Sequence, residues 1–154
     1  MILMNATSRL AELGITLPQV AAPLAAYVPA VRTGNLIYTA GQLPLEAGKL
    51  LGTGKVGANV TPEEGKALAR VCALNALAAV NSLVDIDSVT RVVKVVGFVA
   101  SAPGFHGQPN VINGASDLLA EVFGDKGVHA RSAVGVAELP LDAPVEVELI
   151  VEVG

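Results

Sequence analysis

The chain has 154 residues, of which 52% are hydrophobic, 16% charged and 3% aromatic, with a formal net charge of −4. Average usage is roughly 25% charged, so this scarcity of charge, with a mean hydropathy of +0.57, excludes a disordered chain, which is polar and charge-rich. The acidic balance and the few rings also argue against a nucleic-acid platform, which needs a basic face and stacking aromatics.

The chain begins with a predicted short helix. Asn5 to Ser8 supply caps, Arg9 to Leu13 continue it, and Gly14 ends it. Leu17 to Val31 is the longest apolar stretch, but Pro18, Pro23 and Pro29 interrupt it. It therefore reads as extended chain and falls short of the about 20 continuous apolar residues of a membrane helix. Asn35 to Ala40 is a strand candidate between Gly34 and Gly41, and glycines 48, 52, 54 and 57 make a loose connection. Thr61-Pro62-Glu63-Glu64 is a strong helix start, with a hydroxyl cap, proline in the first turn and acids at the positive end of the dipole. The stripe Ala67, Val71, Leu74 and Ala78, widened by Leu68 and Leu77, predicts a helix reaching about Leu83.

Val89 to Ala100 is rich in β-branched residues and reads as a buried strand. A Gly/Pro loop leads to a second long helix around Val111 to Phe123, stopped by Gly124. Strands near Arg131–Ala137 and Val145–Val153 follow, read as a hairpin. The order gives an α+β fold with helices on one face of the sheet, in a single domain over residues 1–154 whose first 24 residues form an extension. In the last strand Val145, Val147, Leu149, Val151 and Val153 share one face, and Glu146, Glu148 and Glu152 the other. Pairing the two strands as a hairpin places Arg131 and small residues on the same face as these acids.

The Met1–Asn5 start lacks the basic n-region of a signal peptide. Cys72 stands alone and can form no intrachain disulfide, so the chain reads as cytoplasmic. Cys72 itself reads as a small buried hydrophobe. With no membrane to take it, the surplus aliphatic surface points to an oligomer interface.

His106 and His129 are the only histidines, and neither stands with Cys72 at metal-site spacing. Neither a P-loop nor a dinucleotide fingerprint is present, so no cofactor is implied. What remains is Arg131 and a set of glutamates. A guanidinium in a dry pocket binds a carboxylate bidentately, and a partly buried Glu146 has a pKa suited to handling a water. The same residues also read as an exposed cross-strand pair worth ~0–1 kcal/mol. In a hairpin turning at residues 138 to 143, Arg131 stands opposite about Ile150. That offset of ~13 Å from Glu146 is too long for one small ligand, so a site using both residues needs more than one chain or a hairpin with bulges.

Three segments carry a family resemblance. Tyr27-Val-Pro-Ala-Val-Arg-Thr-Gly-Asn35 running into Leu36-Ile-Tyr-Thr-Ala-Gly-Gln-Leu-Pro44, Asn113 followed by Asp117 to Phe123, and Ala130-Arg-Ser-Ala-Val-Gly-Val-Ala-Glu-Leu-Pro140 followed by Val145-Glu-Val-Glu148 resemble, in order and spacing, the signatures of the Rid/YjgF family of reactive-intermediate deaminases. The resemblance covers roughly residues 25 to 153. It implies a chorismate-mutase-like mixed sheet with two main helices on one face, assembled as a homotrimer. It also implies cofactor-independent hydrolysis of 2-imino and 2-enamino acids to 2-keto acids and ammonia at subunit interfaces. The family's carboxylate-binding arginine falls on Arg131, its water-positioning glutamate on Glu146, its pocket tyrosine on Tyr27, its Gly-Gln turn on Gly41 and Gln42, and its second-helix asparagine on Asn113. Glu148 shares the face of Glu146, and the spacing match selects Glu146.

The sequence departs from the family pattern at His129, where proline is common, and at Ala133, where many members carry cysteine. His129 reads as a loop residue beside the pocket mouth. The other reading of the same features is a trimeric protein that binds a small carboxylate without turning it over. The family's ribonuclease role is disfavoured by the acidic charge and scarce rings.

Overall fold

A computed structural model describes residues 4–20 and 26–154 of the chain. Residues 21–25, within the stretch expected to be extended, lie outside the described residues. Helix α1 (Ala6–Glu12) starts at Asn5, whose side chain accepts from the Ser8 backbone at 2.8 Å while Ser8 Oγ accepts from the Asn5 backbone at 2.9 Å. Strands β1 (Ala30–Thr33) and β2 (Leu36–Thr39) follow. The glycine-rich connection is less loose than expected: β3 (Leu45–Glu46) and β4 (Lys49–Leu50) pair through Ala47 and Gly48, both at positive φ, as a tight two-residue hairpin turn requires.

Helix α2 spans Pro62–Asn81, and Thr61 Oγ1 accepts from the Glu64 backbone at 3.1 Å. Thr61→Ala is therefore expected to cost about 1 kcal/mol, read as a melting temperature lower by about 2–4 °C in a calorimetric scan. Strand β5 covers Val89–Ala100, α3 Gln108–Phe123, β6 Ala130–Val136 and β7 Val145–Val153. Among the described residues no helix is long and apolar enough to cross a membrane.

The main sheet has the order β1-β2-β7-β5-β6. This corrects the expected hairpin. Strand β6 runs parallel to β5, and β7 enters between β2 and β5, antiparallel to both. The reason is connectivity: α3 supplies the crossover that a parallel pair needs. Residues 137–144 then carry the chain across the sheet instead of turning it back on itself.

Helices α2 and α3 pack on each other and on one face of the sheet, and α1 packs on α3. Val95, Val99, Val147 and Leu149 meet Leu77 and Ile112 in this core. The contact is close enough to demand missing side chains. A Cβ at Gly97 would overlap Ile112, and one at Gly114 would overlap the Lys66 carbonyl.

The buried stripe of α2 is rotated from the expected one. Leu77 and Ala78 are buried as expected, joined by Ala69, Cys72, Ala73 and Ala76, whereas Ala67 is exposed and Leu68, Val71 and Leu74 are half-buried. Small residues win that face because α2 must approach both the sheet and α3. Cys72 is buried as expected, and burial, then the nearby Glu146 charge, pushes its thiol pKa up.

No helix covers the opposite sheet face among the described residues. It carries Val31, Tyr38 and Val134 exposed, Val96, Phe98 and Ile150 half-buried, and the acids of β7.

Candidate active site

Arg131 is the second residue of β6, pairing with Val95 and through it aligning with Leu149. Paired residues on neighbouring strands point to the same side of a sheet, and Val95 and Leu149 are buried under the helices. Arg131 therefore lies on the helix-covered face, at the sheet's edge. This corrects the expectation that it shares a face with the acids, which followed from the assumed hairpin.

At that edge Arg131 meets α3. Its Nη1 donates to Asn113 Oδ1 at 2.7 Å and to Ser116 Oγ at 3.2 Å. Asn113 and Ser116 are three residues apart and so share one helix face. Ser116 Oγ is also 2.9 Å from His129 Nε2, and His129 Nδ1 is 2.6 Å from the Gly127 carbonyl oxygen. No carboxylate forms a salt bridge with Arg131 among the described residues. A half-buried guanidinium is thus held by neutral acceptors, with donors left over.

Glu146 lies on the open face, paired with Phe98 and, beyond it, aligned with Val134. Its carboxylate rests against Gly41, where any Cβ would overlap it. Burial, then the like charge of Glu148, raises its pKa above the ordinary carboxylate value. The sign of the consequence for stability follows from linkage. The folded chain holds this proton to higher pH than the unfolded chain does, so stability falls as pH rises from the ordinary carboxylate value through the raised one. Glu146→Gln is accordingly expected to raise the melting temperature at neutral pH and to leave it nearly unchanged in acid. An equal shift at both pH values would contradict the burial argument.

Gln42 is buried, and its backbone exchanges two hydrogen bonds with Val147 at 2.8 and 3.0 Å. Its side-chain amide donates to the Ala40 carbonyl at 3.3 Å. Gly41 and Gln42 thus bring the segment after β2 against β7, beside Glu146. Tyr27 precedes β1 and is 56% exposed, so it is available to solvent or to a neighbouring molecule.

Within one chain these residues form two separate groups. Arg131 and Asn113 lie at one edge on the helix side; Gly41 and Glu146 lie nearer the middle on the side of the acids, while Gln42, paired with Val147, is buried on the helix side behind them. Three residues of offset along the strands and two strand spacings put Arg131 and Glu146 roughly 14 Å apart at their Cα atoms, on opposite faces. Among the described residues no cluster of His, Cys, Asp and Glu has the makings of a metal site.

Residues 7–153 match the family described as "YjgF/chorismate_mutase-like, putative endoribonuclease". The chain belongs to this family. Among family relatives, protein TCP17 of Trypanosoma cruzi is 48% identical over 149 residues, which cover 96% of this chain and 93% of that one. The 2-iminobutanoate/2-iminopropanoate deaminase of Dermatophagoides farinae is 33% identical over 140 residues, covering 89% and 93%. A protein of unknown function from Agrobacterium tumefaciens shares the fold with a TM-score of 0.89 at 48% identity, covering 97% of this chain and 92% of its own. The YjgF gene product of E. coli matches with a TM-score of 0.64 at 28% identity, covering 89% and 94%.

Sequence reasoning passed over Ser116 in this YjgF-family chain and set His129 aside as a loop residue. The available signal was the i, i+3 spacing of Asn113 and Ser116, which puts two short polar side chains on one turn of a helix otherwise buried on that side.

Proposed function

We propose that the protein hydrolyses reactive 2-imino and 2-enamino acids to 2-keto acids and ammonia, without a cofactor of its own, as a homotrimer with pockets between subunits. The observation that carries this reading is Arg131, held by Asn113 and Ser116 and without a carboxylate partner among the described residues. A guanidinium so placed suits a ligand carboxylate. The kinship with a deaminase at 33% identity supports the reaction class.

The chemistry asks little of the protein. The imine carbon is already electrophilic, so holding the substrate supplies much of the effect. Arg131 anchors the carboxylate, with Asn113 as its support. Glu146 of a neighbouring copy takes a proton from the attacking water and passes it to the nitrogen, giving a tetrahedral carbinolamine. It then moves the hydroxyl proton to the nitrogen as the C–N bond breaks, so that ammonia leaves and the keto acid remains. Its raised pKa suits a group that must both accept and give. Gly41 shapes the pocket floor beside Glu146, Gln42 fastens that segment to β7 from behind, and Tyr27 closes the mouth.

The separation of Arg131 from Glu146 and the uncovered apolar face both call for a second chain. Sedimentation is expected to give the mass of three copies, and Val134→Glu, on the open face, is expected to dissociate them and abolish turnover. A monomer with full activity would remove the shared pocket.

The decisive assay generates 2-aminoacrylate in situ with a dehydratase and follows keto acid formation with and without the protein. Acceleration above buffer is expected. Pyruvate binding without acceleration would favour a carboxylate-binding protein instead.

A further inference from the structure

We infer that His129 is a positioning residue for Arg131, acting through Ser116, and that this relay fixes which edge of the guanidinium a ligand carboxylate meets. The inference rests on the anchoring role proposed above for Arg131.

The direction of each hydrogen bond follows from what each group is able to do. The Gly127 carbonyl only accepts, so His129 Nδ1, 2.6 Å away, carries a proton. In the neutral ring Nε2 then offers its lone pair to Ser116 Oγ at 2.9 Å, and the hydroxyl donates its one hydrogen there. That turns an oxygen lone pair toward Arg131 Nη1, which only donates, at 3.2 Å. One proton fills each gap from Arg131 to Gly127.

Nη1 has two hydrogens, and the second goes to Asn113 Oδ1 at 2.7 Å. Both are therefore committed within the chain. The end-on fork formed by Nη1 and Nη2 is withdrawn from any ligand, and the side-on edge, Nε–H with Nη2–H, remains for bidentate contact with a carboxylate. Without His129 the Ser116 hydroxyl is free to turn and bond a helix carbonyl, and its hold on Nη1 is lost.

The far end of the relay is tied to the same helix as its near end. Gly127 is buried, and a Cβ there would overlap the Leu119 carbonyl of α3. The carbonyl that orients His129 and the side chains that hold Arg131 are thus all positioned by α3.

Two measurements test this independently. Nitrogen-15 spectra of the His- and Arg-labelled protein should show His129 protonated at Nδ1 alone, and Arg131 Nη1 resolved from Nη2 by slow rotation. In His129→Ala the two should merge. In steady state with 2-iminopropanoate generated in situ, His129→Ala and Ser116→Ala should each raise KM about five- to tenfold, the worth of one hydrogen bond, with kcat nearly unchanged. The double variant should be no worse than the worse single one. His129→Gln, whose amide oxygen also accepts from Ser116, should restore most of the loss. An Nη1 signal that is the same in wild type and His129→Ala, or an unchanged KM in an active His129→Ala protein, overturns the relay. A locked guanidinium in a wild-type protein without turnover supports the relay and removes the deaminase reading.

Discussion

Arg131→Ala is expected to reduce kcat/KM for 2-iminopropanoate by about 10²- to 10³-fold. Each hydrogen bond to a charged group contributes about 1.5–3 kcal/mol, and a side-on carboxylate takes two of them, so a loss near 3–4 kcal/mol corresponds to that factor. The variant should remain folded, because Arg131 lies near the start of an edge strand and is half-buried along with Asn113 and Ser116. Arg131→Lys should recover only a small part, since an ammonium lacks the planar pair of donors. Steady-state kinetics with circular dichroism as the control for folding would decide the matter. A rate within a few-fold of wild type in a folded Arg131→Ala protein would end the claim that this residue anchors substrate.

Gly114→Ala is expected to be the most damaging conservative change to the fold. In the middle of a helix alanine is ordinarily favoured over glycine by about 1 kcal/mol. Here its Cβ would overlap the backbone carbonyl of Lys66 on α2, and backbone has no rotamer with which to yield. Overpacking typically costs 1–3 kcal/mol, occasionally more, and contact with backbone belongs at the upper end. The net loss should be about 2 kcal/mol, a drop of roughly 4–8 °C in melting temperature, instead of the usual gain. Helix α3 also carries Asn113 and Ser116, so activity should fall with stability as the helix is pushed from α2.

Much of the secondary structure could be read from local chemistry. Thr61, Pro62 and the two following glutamates announced α2, and the alternation of Val and Glu announced β7 with its bounds intact. Alternation says which side chains share a face; it is silent on which strand lies alongside. That is why β6 was matched to the strand next in sequence when its partner is β5, and why Arg131 was assigned to the wrong face.

The residues of β6 had a second meaning. Val134 and Val136 look like the core side, yet Val134 is exposed, and Ala133 and Gly135 face the helix layer because α3 and the segment leading into it come so near. A Cβ on Gly135 would meet the Gln108 amide at 2.7 Å. Smallness marked proximity, and a hydrophobicity count does not register it. The same confusion rotated the stripe of α2, where leucines and valines occur on several faces and every alanine but Ala67 is buried. The candidate site was legible as a set of residue types through the resemblance, and Asn113 stands beside Arg131 in the fold. Its division between two faces depended on topology, which no single segment encodes.

Strand β7 lies between β2 on one side and β5 on the other. Among the described residues it is the only strand that joins the β1–β2 pair to the β5–β6 pair, yet it follows all four in chain order. During synthesis the two halves must wait, with edges unpaired, until residues 145–153 are free to slide between them. Such exposed edges recruit unwanted strands, and pairings this distant in sequence form slowly. Shortening the chain from that side would therefore cost far more than nine residues' worth of contacts. It would leave two fragments of sheet with no common seam.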